Sequence, residues 1–137
     1  MPPIDVAAAL VFRQGKLLIT QRHPDAHLGG LWEFPGGKRE ADESLIACLQ
    51  RELDEELGIA ADVGDLLWHQ VHCYPDGQPF ELFFYLVPSY LGTPVNRAFA
   101  EIRWVRVGAL TALDFLDADR QLVSRLDRGQ WSPGEPR

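Results

Sequence analysis

The chain has 137 residues, 46% of them hydrophobic, which suits one domain with a buried core and suits two poorly. Its net charge of −7, from 20 acidic and 13 basic residues, speaks against a protein that grips duplex nucleic acid by its phosphates, so no stable nucleic-acid binding is expected. No apolar run approaches the roughly 18 residues that span a bilayer, and the start, Met1-Pro2-Pro3-Ile4-Asp5, lacks the basic opening of a secretory signal. A cytoplasmic protein without membrane attachment is the expectation. A phosphorylated substrate stays open, because clustered carboxylates bind divalent cations and the cations bind phosphates.

Residues 6–12 (VAAALVF) form an apolar, β-compatible run, and residues 13–16 read as a hairpin turn into a second strand over residues 17–21. Residues 23–30 (HPDAHLGG) have the proline and glycine content of a surface loop, and residues 31–34 make a short strand stopped by Pro35-Gly36-Gly37. Residues 44–57 give the clearest helix: Leu45, Leu49, Leu53 and Leu57 recur every fourth residue with Ile46 beside them. Asp42 and Ser44 are candidate N-caps, and Gly58 stands where a glycine ends a helix. Residues 65–72 and 80–87 read as strands joined by a turn at residues 74–77, residues 101–107 as another strand, and residues 118–126 as a C-terminal helix. The polar, proline-bearing segment 128–137 reads as a flexible tail. Cys48 and Cys73 form no CxxC pair and are read as small buried hydrophobes. Strands followed by a helix, then strands, then a helix give the α+β class, helices covering a sheet.

Glu52, Glu55 and Glu56 stand at i, i+3 and i+4 of the predicted helix, so three carboxylates project from one face within a turn of one another. They repel, and a divalent cation such as Mg²⁺ or Mn²⁺, which prefers oxygen ligands, supplies the missing charge. Arg51 flanks them and can orient one carboxylate through a two-pronged hydrogen bond. Taken alone, the cluster reads equally as a solvated helix face.

The neighbouring residues change that balance. From Gly37 to Ile59 the chain reads GKREADESLIACLQRELDEELGI, with Gly37, Glu43 and the run Arg51 to Ile59 (RELDEELGI) at fixed spacing. This resembles the Nudix box at every specified position, and the preceding DAHLGGLWEFPGGK (residues 25–38) looks like the MutT-like branch of that family. The resemblance covers residues 6–126 or so. It implies the Nudix fold, a mixed β-sheet packed between helices in an α/β/α sandwich, and a nucleoside triphosphate pyrophosphohydrolase acting on a small-molecule nucleotide.

By the same resemblance Glu52, Glu55 and Glu56 would ligate Mg²⁺ or Mn²⁺, with the Gly36 carbonyl as a further ligand, and Glu43 would brace the junction between loop and helix. Arg22 would pair with phosphate, His27 would line the nucleotide pocket, and Glu33, Phe34, Pro35 and Gly36 fall where the branch contacts the nucleotide. The chain departs from the pattern twice. The glutamate that MutT-like enzymes often carry six residues before the late-strand tryptophan is Ala98 here, before Trp104, and Glu101 is the candidate substitute as base. The position whose asparagine reads 8-oxoguanine is Asp119. An ionised aspartate offers only acceptors, which suits a cytosine amino group, whereas a protonated one would suit 8-oxoguanine. Three functions are therefore carried forward: hydrolysis of 8-oxo-dGTP or related (d)NTPs, hydrolysis of CTP, dCTP or a modified pyrimidine nucleotide, and a Nudix module that binds nucleotides without hydrolysing them. A monomer or a homodimer fits any of these.

Overall fold

A computed structural model of the protein describes residues 2–130. The strands in chain order are β1 (Ile4–Arg13), β2 (Lys16–Gln21), β3 (Trp32–Glu33), β4 (Gly36–Lys38), β5 (Ala60–Asp62), β6 (Leu66–Cys73), β7 (Pro79–Val87), β8 (Ser89–Leu91) and β9 (Glu101–Arg106). The helices are α1 (Leu45–Leu57) and α2 (Asp117–Asp127), with a 3-10 helix at Val107–Ala112. Of the expected tail, residues 131–137 lie outside the described residues.

The apolar run at the start becomes the centre of the sheet because both its faces are covered. Ala8 and Leu10 pack with α2 through Leu122, Val123 and Leu126, whereas Ala7, Ala9 and Val11 pack with α1 through Cys48, Leu49, Leu53 and Leu57. Period-two alternation along β1 thus feeds two cores on opposite faces, which is the expected α/β/α layering. The sheet is mixed, in the order β3-β2-β1-β7-β6, with β4 added to β1 and β9 to β2. Strand β1 runs parallel to β7 from Ile4↔Phe80 to Val11↔Val87, and the other pairings are antiparallel.

Strand β1 splits its other edge between two partners. Its end pairs with β2 at Phe12↔Leu17 and Arg13↔Lys16, and its start pairs with β4 at Val6↔Lys38, Ala7↔Gly37 and Ala8↔Gly36. The Ala9 N–H, between the two, donates to the Pro35 carbonyl at 2.8 Å. The chain therefore passes from β3 through Phe34-Pro35 into β4 beside β1, and β4 leads through a short loop to α1.

Several expectations shift in position. Ser44 is the N-cap of α1, its hydroxyl accepting from Ala47 N at 3.0 Å, while Asp42 has φ 71 and lies outside the helix. Ile46 is 42% exposed, and Cys48 takes the place expected of it. The first turns of α1 lean on β4, where the Cys48 Sγ sits 3.6 Å from the Gly37 carbonyl oxygen, and only a small side chain fits that approach. Cys73, expected buried, is exposed on strand β6. Strand β4 was not expected, since Gly-Gly is poor β material; it is a strand because β1 has an open edge there. The short β5–β8 pair and the 3-10 helix also have no clear periodic signal in the sequence.

Gly36 has φ 154, and a Cβ there would lie 2.0 Å from the Ala7 carbonyl oxygen. Gly36→Ala is therefore expected to lower unfolding stability by about 2–4 kcal/mol through backbone clash and strain. Urea denaturation checks this, with Gly15→Ala, where a Cβ meets nothing within 4 Å, as the control for φ strain alone.

Candidate active site

A cleft of about 960 Å³ opens where β4 diverges from β3, walled by residues of α1, β4, the 22–28 loop, the β6–β7 turn and the start of α2. Arg22, His27, Glu33, Phe34, Pro35, Gly36, Arg51, Glu52, Glu55, Glu56 and Asp119 all line it. Residues nearly a hundred positions apart in sequence are thus brought to one wall.

The acidic face of α1 is organised by Arg51. Its Nε and Nη2 donate to the two oxygens of Glu43 at 3.1 and 2.7 Å, so the two-pronged bond goes to Glu43. Its Nη1 reaches Glu52 and Glu55 at 3.4 Å each, and Nη2 also reaches the Lys38 carbonyl at 3.3 Å. Glu43 also accepts the Glu40 N–H at 2.9 Å. The Arg51 hydrogen bonds, with the Glu40 N–H, hold the Glu43 carboxyl down at about 2. Glu43 therefore ties the loop after β4 to α1.

Glu52 passes over β4 so closely that a Cβ on Gly37 would lie 1.5 Å from its Oε2. Burial raises its pKa, opposed by Arg51. Glu56 lies deeper. Burial and the repulsion of Glu52 and Glu33 push its carboxyl up to about 8, against the Gly36 N–H that it accepts. Its Oε1 is buried and has no hydrogen-bond partner among the described residues. A carboxyl raised by burial and then by its neighbours' charge, with one buried oxygen that has no hydrogen-bond partner among the described residues, lacks a positive partner. The all-oxygen donor set fits a hard divalent cation. No group of three or more His, Cys, Asp or Glu side chains among the described residues is arranged to hold a metal ion; Mg²⁺ usually keeps several waters and binds through one or two carboxylates together with substrate phosphates.

At the other end of the cleft, Arg22 Nε donates to Glu33 Oε2 at 2.7 Å and its Nη1 to the His27 carbonyl at 3.0 Å. Arg22, expected to meet phosphate, is thus engaged with Glu33 and the loop. Burial raises Glu33 although Arg22 opposes it. Phe34 packs against Phe115, ring centroids 5.4 Å apart, and edge-on to Phe84. Asp119 is 4% exposed. Burial, then the Glu33 charge, raise its carboxyl well above the usual range, against the Phe34 N–H and Arg22.

Glu101 is the correction. It sits on β9 opposite Gln21, its carboxylate takes the Arg103 Nε at 2.8 Å, and it is absent from the cleft wall. Alternation along β9 turns it away, and Ala98 and Phe99 occupy the wall instead. The sequence reading also passed over Lys38, Tyr74 and Phe80, which line the cleft, Lys38 standing 5.9 Å over the Phe80 ring. Lys38 was legible as the residue directly after the Gly-Gly pair; Tyr74 and Phe80 were hidden in a segment read only as turn and strand.

The Nudix domain family matches residues 1–126, and the chain belongs to that family. It is 46% identical over 94 residues, 68% of each chain, to a protein of Escherichia coli K12 named CTP pyrophosphohydrolase. To an 8-oxo-dGTP diphosphatase of Haemophilus influenzae it is 38% identical over 124 residues, 90% of each chain. Among solved structures, the Escherichia coli ORF135 protein superposes with a TM-score of 0.85 at 34% identity, over 98% of this chain and 96% of that one. A MutT Nudix hydrolase from Burkholderia pseudomallei gives 0.82 at 26% identity, over 90% and 98%. The protein is a MutT-like Nudix hydrolase, an enzyme of phosphoanhydride bonds, and its family generally requires a divalent cation. No helix among the described residues is long and apolar enough to cross a membrane.

A raised carboxyl pKa in the folded state weakens folding as pH climbs. Below the unfolded value of about 3.9 both states hold the Asp119 proton, and above it the unfolded chain gives the proton up while the folded chain keeps it. Stability from this group is therefore full below about pH 4 and is lost as pH rises toward the folded pKa. Asp119→Asn removes the titration, so its Tm relative to the parent is expected to increase with pH from 4 upward, read by thermal denaturation across a pH series.

Proposed function

We propose that the chain hydrolyses 8-oxo-dGTP or a related (d)NTP to the monophosphate and pyrophosphate, using Mg²⁺ or Mn²⁺, in the sanitation of nucleotide pools in the cytoplasm. The observation that carries the base preference is Asp119, buried at the cleft wall with its carboxyl raised by burial and by Glu33. A neutral carboxyl offers one donor and one acceptor, as an asparagine amide does, and so fits an edge that presents both. In 8-oxoguanine O6 lies beside an N7–H.

The reaction adds water across one phosphoanhydride bond. The water oxygen forms a bond to phosphorus, the bridging P–O bond breaks toward the departing phosphate group, and the water proton passes to a carboxylate of the α1 face. Glu52, Glu55 and Glu56 are the proposed cation ligands, with the Gly36 carbonyl beside them. When bound there, a divalent cation supplies neutralisation of the phosphate charge and makes an attacking water easier to deprotonate. Arg51 holds Glu52 and Glu55 from the side while anchored on Glu43. Glu56 Oε1 is buried without a hydrogen-bond partner among the described residues, which suits it to take a cation. Lys38 lies on the same wall and adds positive charge near the phosphates.

The relative named CTP pyrophosphohydrolase, at 46% identity, supports a second reading in which the base is cytosine or a modified pyrimidine. A module that binds without hydrolysing draws on Ala98, but the retained Glu52, Glu55 and Glu56 set weighs against it.

Glu56→Gln and Glu55→Gln are each expected to reduce cation-dependent pyrophosphate release by at least about 10²-fold with the Tm retained; full activity in both would remove α1 from the chemistry. Comparing kcat/KM for 8-oxo-dGTP, dGTP, dCTP and 5-methyl-dCTP separates the two base readings. Asp119→Ala is expected to change the ranking, whereas Asp119→Asn, which keeps one donor and one acceptor, is expected to keep a preference for 8-oxo-dGTP.

A further inference from the structure

Strand β6 carries a set of side chains that reach across to α2, outside the α1 chemistry. The Trp68 Nε1 donates to Gln70 Oε1 at 2.7 Å, and Gln70 Nε2 donates to the Ala118 carbonyl at 3.0 Å. The Arg125 guanidinium, on the last turn of α2, lies 4.2 Å over the Trp68 ring. The Ala118 carbonyl is thus held by a side chain of β6, one residue before Asp119.

This matters because α2 begins without a side-chain cap. Its N-cap is Leu116, and the Asp119 N–H closes back on the Leu116 carbonyl at 2.9 Å. An uncapped first turn frays or shifts unless something outside the helix fixes it. Gln70 can fix it only in one orientation. The indole N–H is a donor and never an acceptor, so it claims the amide oxygen and turns the amide nitrogen toward Ala118. Trp68 therefore sets the amide of Gln70, Gln70 sets the Ala118 carbonyl, and the position of the Asp119 carboxyl follows. Gln70 and Trp68 are absent from the cleft wall, whereas Ala118, Asp119 and Tyr74 line it.

We infer that Trp68 and Gln70 are positioning residues for base selection, holding the first turn of α2 so that Asp119 meets the nucleobase in one register. The inference rests on the reading that Asp119 faces the base. It assigns to a strand distant from the Nudix box a share in choosing the substrate and none in cleaving it. The carboxylates of α1 are anchored through Arg51, Glu43 and β4 and share no hydrogen bond with this set.

The test measures kcat/KM for 8-oxo-dGTP and dCTP in the parent, Trp68→Phe, Gln70→Leu and Asp119→Ala, with the Tm of each. Trp68→Phe keeps an aromatic ring under Arg125 and removes the N–H that orients Gln70 together with part of the indole's packing on the core, which its Tm reports, so it carries the test if Gln70→Leu does not fold. In both β6 variants the ratio of the two kcat/KM values is expected to move about tenfold toward unity. The loss should lie in KM for the preferred nucleotide, with kcat nearly kept. A merely structural role would lower Tm and reduce activity on both nucleotides alike, leaving the ratio at the parent value, and that result overturns the inference. If the β6 variants keep the ratio while Asp119→Ala changes it, the β6 set is excluded and the role of Asp119 stands. If Asp119→Ala keeps the ratio, the base-reading role of Asp119 fails, and the inference fails with it.

Discussion

Helix α1 delivers its carboxylates to the cleft because β4 offers no side chain where Glu52 crosses it. A Cβ on Gly37 would sit within bonding distance of the Glu52 carboxylate, and one on Gly36 would strike the β1 backbone. The strand is therefore the narrowest element of the structure. It completes β1 on one side and lets α1 settle on the other, with Cys48 and Glu52, one turn apart, facing its bare backbone. Any added bulk would lift the helix, and with it every acidic side chain of the site.

That closeness concentrates negative charge, which the protein meets in two ways. Around Glu43, the charge is matched from within: Arg51 makes a forked bond, and the carboxyl stays ionised far below neutral pH. Around Glu56 it is left unmatched, with a buried oxygen lacking a partner and a carboxyl raised to about 8. Charge-assisted, two-pronged bonds lock geometry, whereas unmatched buried carboxylates are costly unless a cation joins them. The first arrangement braces the loop against α1, and the second is where the proposed cation would bind. Both lie within one helix and the loop before it.

The helix of the box was fully legible, since leucine spacing, a serine cap and a terminal glycine each act within a few residues. The α+β class was legible from the order of strands and helices, whereas the α/β/α layering was implied by the resemblance to the Nudix family. What could not be read were contacts made across the fold. Strand β4 is a strand only because β1 lacks a partner at Ala7 and Ala8. Ile46, read beside the leucine stripe, is exposed, while Cys48 is buried as expected, beside the Gly37 carbonyl. Glu101 looked available for the site by its spacing from Ala98, yet strand alternation and Arg103 turn it outward. Arg22 was assigned to phosphate on its position alone, and the partner it meets, Glu33, comes from the facing strand β3.

The two ends of the cleft are built by different layers of the sandwich. The carboxylates come from α1, which packs on one face of β1, and Asp119 comes from α2, which packs on the other. They meet only because β1 divides its edge between β2 and β4, leaving the space through which one ligand can touch both. Substitutions that retune the start of α2 need not disturb the packing of α1 on β4, since the two sets share no hydrogen bond and distant sites contribute nearly independently. The chain resembles both a protein named for CTP and proteins named for 8-oxo-dGTP while keeping one intact box. Under the proposed function, the difference between such relatives would belong to the α2 end of the cleft, which strand β6 holds through Gln70 and the Ala118 carbonyl.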